Sequence, residues 1–181
     1  MKKMKKIVLI VTLMIGSLGA FAQKKSTKKV EEKANLVKLS IGIHNKLRIG
    51  YERVLTDKFT AGAVVDYYYG IYPGIKLEPF ARWYMGSEAP KGLYLQGRFL
   101  YGSFSHEFFT GTKTSFSAMG GGVDLGYQWL LGKEKNLLID LSVGVQQMPV
   151  LNEEGSWDNV VFYSTGPGGI FNPHLSFGYV F

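Results

Sequence analysis

A chain of 181 residues with 46% hydrophobic residues, 23 glycines and no cysteine has room for one domain; it excludes a disulfide framework, a thiolate zinc site and a lipidated cysteine. Its formal charge of +7 does not point to nucleic acid, because four of the 21 basic residues fall within the first six positions. Without them 17 basic residues face 14 acidic ones, a balance of +3 that implies no polyanionic partner.

The first 22 residues read as a secretory signal peptide. Lys2, Lys3, Lys5 and Lys6 form a basic start, Ile7 to Ile15 an apolar run, and Ala20-Phe21-Ala22 a small-residue cleavage site before Gln23. The apolar run is shorter than the ~20 residues a membrane-spanning helix needs. Export is therefore expected. Residues 23–34, within QKKSTKKVEEKAN, are expected to form a charged periplasmic tail.

From residue 35 onward nothing sustains helical periodicity, and almost everything alternates with period two. Val37, Leu39, Ile41 and Ile43 alternate with Lys38, Ser40, Gly42 and His44. Leu47, Ile49 and Tyr51 alternate with Arg48, Gly50 and Glu52. A third run from Phe59 sets Ala61, Ala63, Val65 and Tyr67 against Thr60, Gly62, Val64 and Asp66. A fourth, IKLEPFARWYM, sets Ile75, Leu77, Ala81 and Trp83 against Lys76, Glu78, Phe80 and Arg82, with Pro79 predicting a bulge. The fifth, LYLQGRFLYG, and the sixth, AMGGGVDLGYQWL, turn Gln96, Arg98 and Asp124 away from Leu95, Phe99, Leu125 and Trp129. The seventh, LLIDLSVGVQ, sets Asp140 and Ser142 against Ile139, Leu141 and Val143. The eighth, NPHLSFGYVF, sets His174 and Ser176 against Leu175, Phe177, Tyr179 and Phe181.

Eight runs of about ten residues match the length of a tilted strand crossing a bilayer. LTDK, GSEAPKG and GKEKN are short connections, whereas Ser103–Thr114 and Met148–Gly169 are long. This alternation fits an all-β, eight-stranded antiparallel up-and-down transmembrane β-barrel over residues 35–181, with periplasmic turns and external loops. An inside-out assignment follows from volume. The interior of an eight-stranded barrel is just wide enough for side chains, and the glycine-rich polar face fits there better than the bulky apolar one. Tyr51, Trp83, Trp129, Tyr179 and Phe181 then fall at the periplasmic edge, and Tyr67, Tyr69 and Tyr101 at the outer edge, as two aromatic girdles.

The inward face holds Lys38, Arg48, Lys76, Arg82 and Arg98 with Glu52, Asp66, Glu78, Asp124 and Asp140. Such balanced charges in a narrow lumen are expected to pair and fill it. A selectivity filter would carry an excess of one sign. The His174-x-Ser176 pair resembles that of eight-stranded outer-membrane lipid A deacylases, where the pair faces lipid. Here parity turns both inward, so His174 is expected to join the lumen network and no catalytic residue is expected. Asn152, Glu153, Glu154 and Asp158 do not match a calcium loop, and neither metal nor cofactor is expected. Phe108, Phe109, Trp157 and Tyr163 in the long loops, with Phe162 beside them, could contact a partner or fold over the barrel mouth.

LEPFARWYMG, GLYLQGRF, GGGVDLGYQWLLG, LLIDLSVGV and LSFGYVF resemble a small outer-membrane β-barrel family of Bacteroidota, a domain of unknown function. More distantly the chain is similar to the transmembrane barrels of the outer-membrane protein A type. The resemblance implies a Gram-negative outer-membrane location, contact with membrane lipid and lipopolysaccharide, and no catalytic residues. The terminal aromatic resembles the signal read by barrel-assembly machinery. A monomeric barrel with a plugged polar lumen, acting structurally or through its loops on an unknown partner, is the expectation. A narrow small-solute channel and a lipid-modifying enzyme are the alternatives.

Overall fold

A computed structural model describes residues 35–42, 45–86, 88–107, 113–151, 162–163 and 166–181, all within one compact unit, Lys33–Phe181. The expected signal peptide and charged tail lie outside the described residues.

The described residues form eight strands: β1 (Asn35–Gly42), β2 (Lys46–Val54), β3 (Phe59–Tyr68), β4 (Gly74–Tyr84), β5 (Gly92–Glu107), β6 (Lys113–Leu131), β7 (Leu137–Gln147) and β8 (Phe171–Val180). Each pairs antiparallel with its sequence neighbours, and β1 pairs with β8 to close the barrel. The seam is tied at its end by two backbone hydrogen bonds between Asn35 and Phe181, of 3.0 and 2.9 Å. The seam itself is short, running from Leu36↔Val180 to Leu39↔Phe177, and it turns what would be the two outer edges of an open sheet toward each other.

Period two in the sequence becomes two faces in space. Along β2 burial alternates without a break from Lys46 to Val54, and β4 alternates from Ile75 to Tyr84. The outward face is mostly apolar, and the inward face carries the charges together with Val54, Phe80 and Tyr84. Among the described residues no helix is long and apolar enough to cross a membrane, which leaves the strands to be judged on their own.

Two expectations are corrected. Pro79 makes no bulge: Leu77 pairs with Tyr101 and Phe80 with Arg98 in one continuous register, and Ala63 pairs with Pro79 on the other side. The ring faces outward, and the missing N–H costs only a gap in the ladder to β5 at Glu78 and Pro79. The segment Ser103–Thr114 is mostly not a loop. Pairing continues from Ser103↔Ser117 to Glu107↔Lys113, so β5 and β6 reach 16 and 19 residues and their hairpin outruns its neighbours. Alternation there is carried by Phe104, His106 and Phe116 inside against small polar residues outside, a weaker signal than an apolar outer face gives.

One end of the barrel carries the start of β1, the end of β8 and the connections 55–58, 85–91 and 132–136. The other carries the connections 43–45, 69–73, 108–112 and 148–170. These are called the terminus end and the loop end below.

Candidate functional site

The inside of the barrel is layered. At the terminus end Leu36, Val54, Leu138 and Val180 are buried on the inner face. Tyr84 and Tyr94, opposite each other on β4 and β5, are also buried, with ring centroids 5.5 Å apart. Beyond them lies a belt of charge, and beyond that, toward the loop end, a cluster of Tyr68, Tyr72, Leu100, Phe104, Phe116, Ala118, Met148 and Phe162.

Glycine makes room for this filling. A Cβ on Gly62 would sit 2.7 Å from Phe80 Cζ and 2.9 Å from Glu52 Cα. One on Gly126 would strike the Tyr94 hydroxyl, and one on Gly144 the Asp124 carboxylate. Gly62, Gly126 and Gly144 are thus places where a neighbour's side chain lies close against the wall.

The charges form two groups. Nearer the terminus end Lys38 pairs with Glu52 and, at 2.6 Å, with Asp140, while Arg82 pairs with Asp140 at 2.8 Å and Glu52 at 3.1 Å. Thr60 and Tyr84 hydroxyls donate to Glu52 Oε1 at 2.6 and 3.1 Å, and the Tyr94 hydroxyl donates to Asp140. Arg82 also donates to Gln96 at 2.6 Å and Gln128 at 3.1 Å, with its guanidinium 4.1 Å from the Tyr94 ring centre. Nearer the loop end Arg48 grips both oxygens of Asp66 at 3.1 Å and reaches Glu78 at 2.8 Å. Lys76 joins Asp66 and Glu78 at 3.3 and 2.7 Å, and Arg98 joins Glu78 and Asp124 at 3.2 and 2.8 Å. Gln96 links the groups: it accepts from Arg82 and donates to Asp124 at 2.9 Å.

Every charge named from the sequence as inward lies in this belt. Sequence reasoning passed over Lys46, which is 2% exposed, 3.8 Å from Asp66 and over the Tyr68 ring at 5.6 Å. Its parity with Arg48 was the available signal. Gln96, Gln128, Tyr84 and Tyr94 share that parity too, and it is they that connect the charges.

His174 and Ser176, both 8% exposed, face inward and line a cavity of about 20 Å³ with Ser40 and Ser142. That volume suits one water-sized occupant. An acyl chain has no room there, and His174 Nε2 has no hydrogen-bond partner among the described residues, so the pair is not assembled as nucleophile and base. The described residues hold no cluster of acidic and imidazole groups suited to a metal.

At the loop end Phe162 is buried against Tyr72, Phe104 and Phe116 at 5.3 to 5.8 Å between ring centres. Tyr163 meets it edge to face, and its hydroxyl accepts from the Val150 N–H at 3.2 Å, which builds it into the mouth of the barrel. Gln146 holds this segment down by donating to Pro167 O at 3.0 Å while accepting from Asn172 at 2.9 Å. Phe108, Phe109 and Trp157 lie outside the described residues.

On the outer wall Tyr51, Trp83, Trp129, Tyr179 and Phe181 are exposed near the terminus end, and Tyr67, Tyr69 and Tyr101 near the loop end. Tyr51 donates to Asn35 Oδ1 at 2.7 Å, and the Tyr179 hydroxyl accepts from Asn136 at 3.3 Å.

The crystal structure of the N-terminal β-barrel domain of Pseudomonas aeruginosa OprF is similar in fold. The TM-score is 0.59 at 13% identity, covering 82% of this chain and 96% of that one. At that identity the likeness bears on the fold alone, an eight-stranded closed antiparallel barrel. No curated protein matches. The match to a family described as "Protein of unknown function (DUF3575)" runs over residues 8–152, and the chain belongs to that family.

Proposed function

We propose that the chain is an integral outer-membrane β-barrel with a filled lumen, acting structurally or through its loops and transporting nothing. The observation that carries this is the inverted distribution of polarity. Leu39, Ile49, Val65, Phe99, Val123 and Leu141 stand 45 to 51% exposed on the outer wall, while Glu52, Asp66, Lys76 and Glu78 are fully enclosed. Soluble proteins rarely expose so continuous an apolar surface, and a bilayer is the solvent that suits it. Strands β2, β3, β4, β7 and β8, at nine to eleven residues, have the length that a tilted crossing requires. The two groups of exposed aromatics would sit at the two interfaces, in contact with lipid and lipopolysaccharide. Lys2, Lys3, Lys5 and Lys6 with the Ala20-Phe21-Ala22 site support export to a Gram-negative outer membrane, and the alternating aromatics Phe177, Tyr179 and Phe181 support delivery by barrel-assembly machinery. One chain completes its own wall and its own interior, which favours a monomer.

The filled-lumen reading rests on the charge belt, the aromatic cluster and the ~20 Å³ cavity between charged walls. The channel reading would need an open path, and the enzyme reading an accessible His174-Ser176 pair. Purified protein in a planar bilayer is expected to give no stable conductance, and the cellular protein to co-sediment with outer membrane and migrate faster on a gel before boiling. Steady openings would transfer the reading to the channel; recovery as a soluble periplasmic protein would end it.

A further inference from the structure

The near-neutral balance of the chain hides a division between its two ends. Outside the buried belt the terminus end carries five cations, Arg53, Lys58, Lys91, Lys133 and Lys135, against the three acids Asp57, Glu88 and Glu134. Residues 24–33, which lead into β1 at that end, add five lysines against two glutamates. At the loop end one cation, Lys113, stands against Glu107, Glu153, Glu154 and Asp158, and Lys113 lies opposite Glu107 in the β5–β6 register. A negatively charged surface is therefore matched at the terminus end and opposed at the loop end.

The cations of the terminus end follow the apolar wall. Arg53 stands two positions after the exposed Tyr51, Lys91 two before Leu93, Lys133 two after Leu131 and Lys135 two before Leu137. Two positions span at most ~7 Å of chain, so all four charges stand at the rim where the wall ends. All four side chains are exposed, and Arg53, Lys133 and Lys135 take part in none of the salt bridges among the described residues. Arg53 separates a lipid from a soluble acidic partner. The turns at 85–91 and 132–136 face the medium, but Arg53 lies on the outer face of β2, between Asn35 and Ala61 in the register, beside the wall itself. If the wall faces lipid, the reading on which this inference rests, the rim stands at the level of the headgroups.

We propose that the terminus end binds anionic phospholipid, with Arg53, Lys91, Lys133 and Lys135 holding the headgroup phosphates of that leaflet. The cations anchor this end of the barrel in its leaflet, and the acidic loop end has no matching preference.

Trp83 and Trp129 are exposed on the wall near the same rim and report on the lipid there. The test refolds the mature chain, in a Trp157→Phe background, into mixed vesicles of phosphatidylcholine and phosphatidylglycerol in which one or the other lipid is brominated along its acyl chains. Brominated phosphatidylglycerol is expected to quench more, with a relative binding constant over phosphatidylcholine of at least about fivefold at low salt. The preference is expected to fall toward unity as salt is raised. It is expected to vanish in the fourfold variant Arg53→Gln, Lys91→Gln, Lys133→Gln, Lys135→Gln and to persist in Lys113→Gln at the loop end. Should the fourfold variant not insert, Lys133→Gln with Lys135→Gln alone is expected to lower the preference several-fold. Strong but equal quenching by the two lipids, or a preference undiminished in these variants, would overturn the proposal alone and leave the cations to a soluble partner. Quenching by neither lipid would overturn the lipid-facing wall and this proposal with it.

Discussion

Arg82→Met is the perturbation that most strains the layered interior. Arg82 is 7% exposed and sits among Asp140 at 2.8 Å, Glu52 at 3.1 Å, Gln96 at 2.6 Å and the Tyr94 ring at 4.1 Å. Methionine fills much of the stem's volume, so the cavity cost is small. The electrostatic cost is large, because Glu52 and Asp140 are left to share Lys38 alone. Breaking a buried pair by removing one partner costs about 3–5 kcal/mol, where an exposed pair costs roughly 0.2–1 kcal/mol. Adding Asp140→Asn removes one of the two stranded carboxylate charges. The double variant is therefore expected to be less destabilised than the sum of the singles by about 0.5–3 kcal/mol. Reversible urea unfolding in lipid vesicles, followed by tryptophan emission, measures all three. A loss below about 1 kcal/mol with additive singles would mean that water screens the belt, and the filled-lumen account would fail.

Three further outcomes are expected. Val143→Arg, on the outer wall near mid-strand, should lower stability in vesicles by about 2–4 kcal/mol, and Leu137→Arg at the terminus end by about 0–1 kcal/mol; equal costs at the two depths would argue against a bilayer around the wall. Gly62→Val should cost at least about 1–3 kcal/mol in the same assay, because its Cβ would press on Phe80 and the Glu52 backbone. Phe162→Ala should speed limited proteolysis within residues 148–170 by loosening the aromatic cluster, yet leave the barrel non-conducting, since the charge belt beneath it is intact; single-channel openings in this variant would show that the mouth alone closes the lumen.

The fold was readable because a strand's parity is local. Leu39 and Lys38 differ by one position, and that difference alone assigns them to opposite faces. The same rule applied to Lys46 and Phe104 would have placed them inside, but each stands at the end of the stretch where an apolar outer face makes the alternation plain; Tyr68, between the outward Tyr67 and Tyr69, was hidden by sharing their residue type. Which inward residues meet is not local. Lys38 reaches Gln128 and Asp140, 90 and 102 positions away, through the closure of β1 on β8. Barrel stagger decides those partners, and no spacing along the chain encodes it visibly. Pro79 misled for a related reason: the rule against proline in a strand concerns its missing donor, and one lapse in a closed ladder was accommodated without a shift of register. Phe162 sits in a connection, where period-two reasoning has no purchase. The orphaned His174 nitrogen is a property of its surroundings, so only the three-dimensional arrangement exposes it.

The central claim, that the apolar wall faces lipid, is tested most directly through Trp83 and Trp129, which are 46% and 40% exposed on that wall. In a Trp157→Phe background, protein refolded into vesicles of lipids brominated along their acyl chains is expected to lose much of its tryptophan emission, while aqueous acrylamide quenches it little. Emission untouched by brominated chains and readily quenched by acrylamide would contradict the claim.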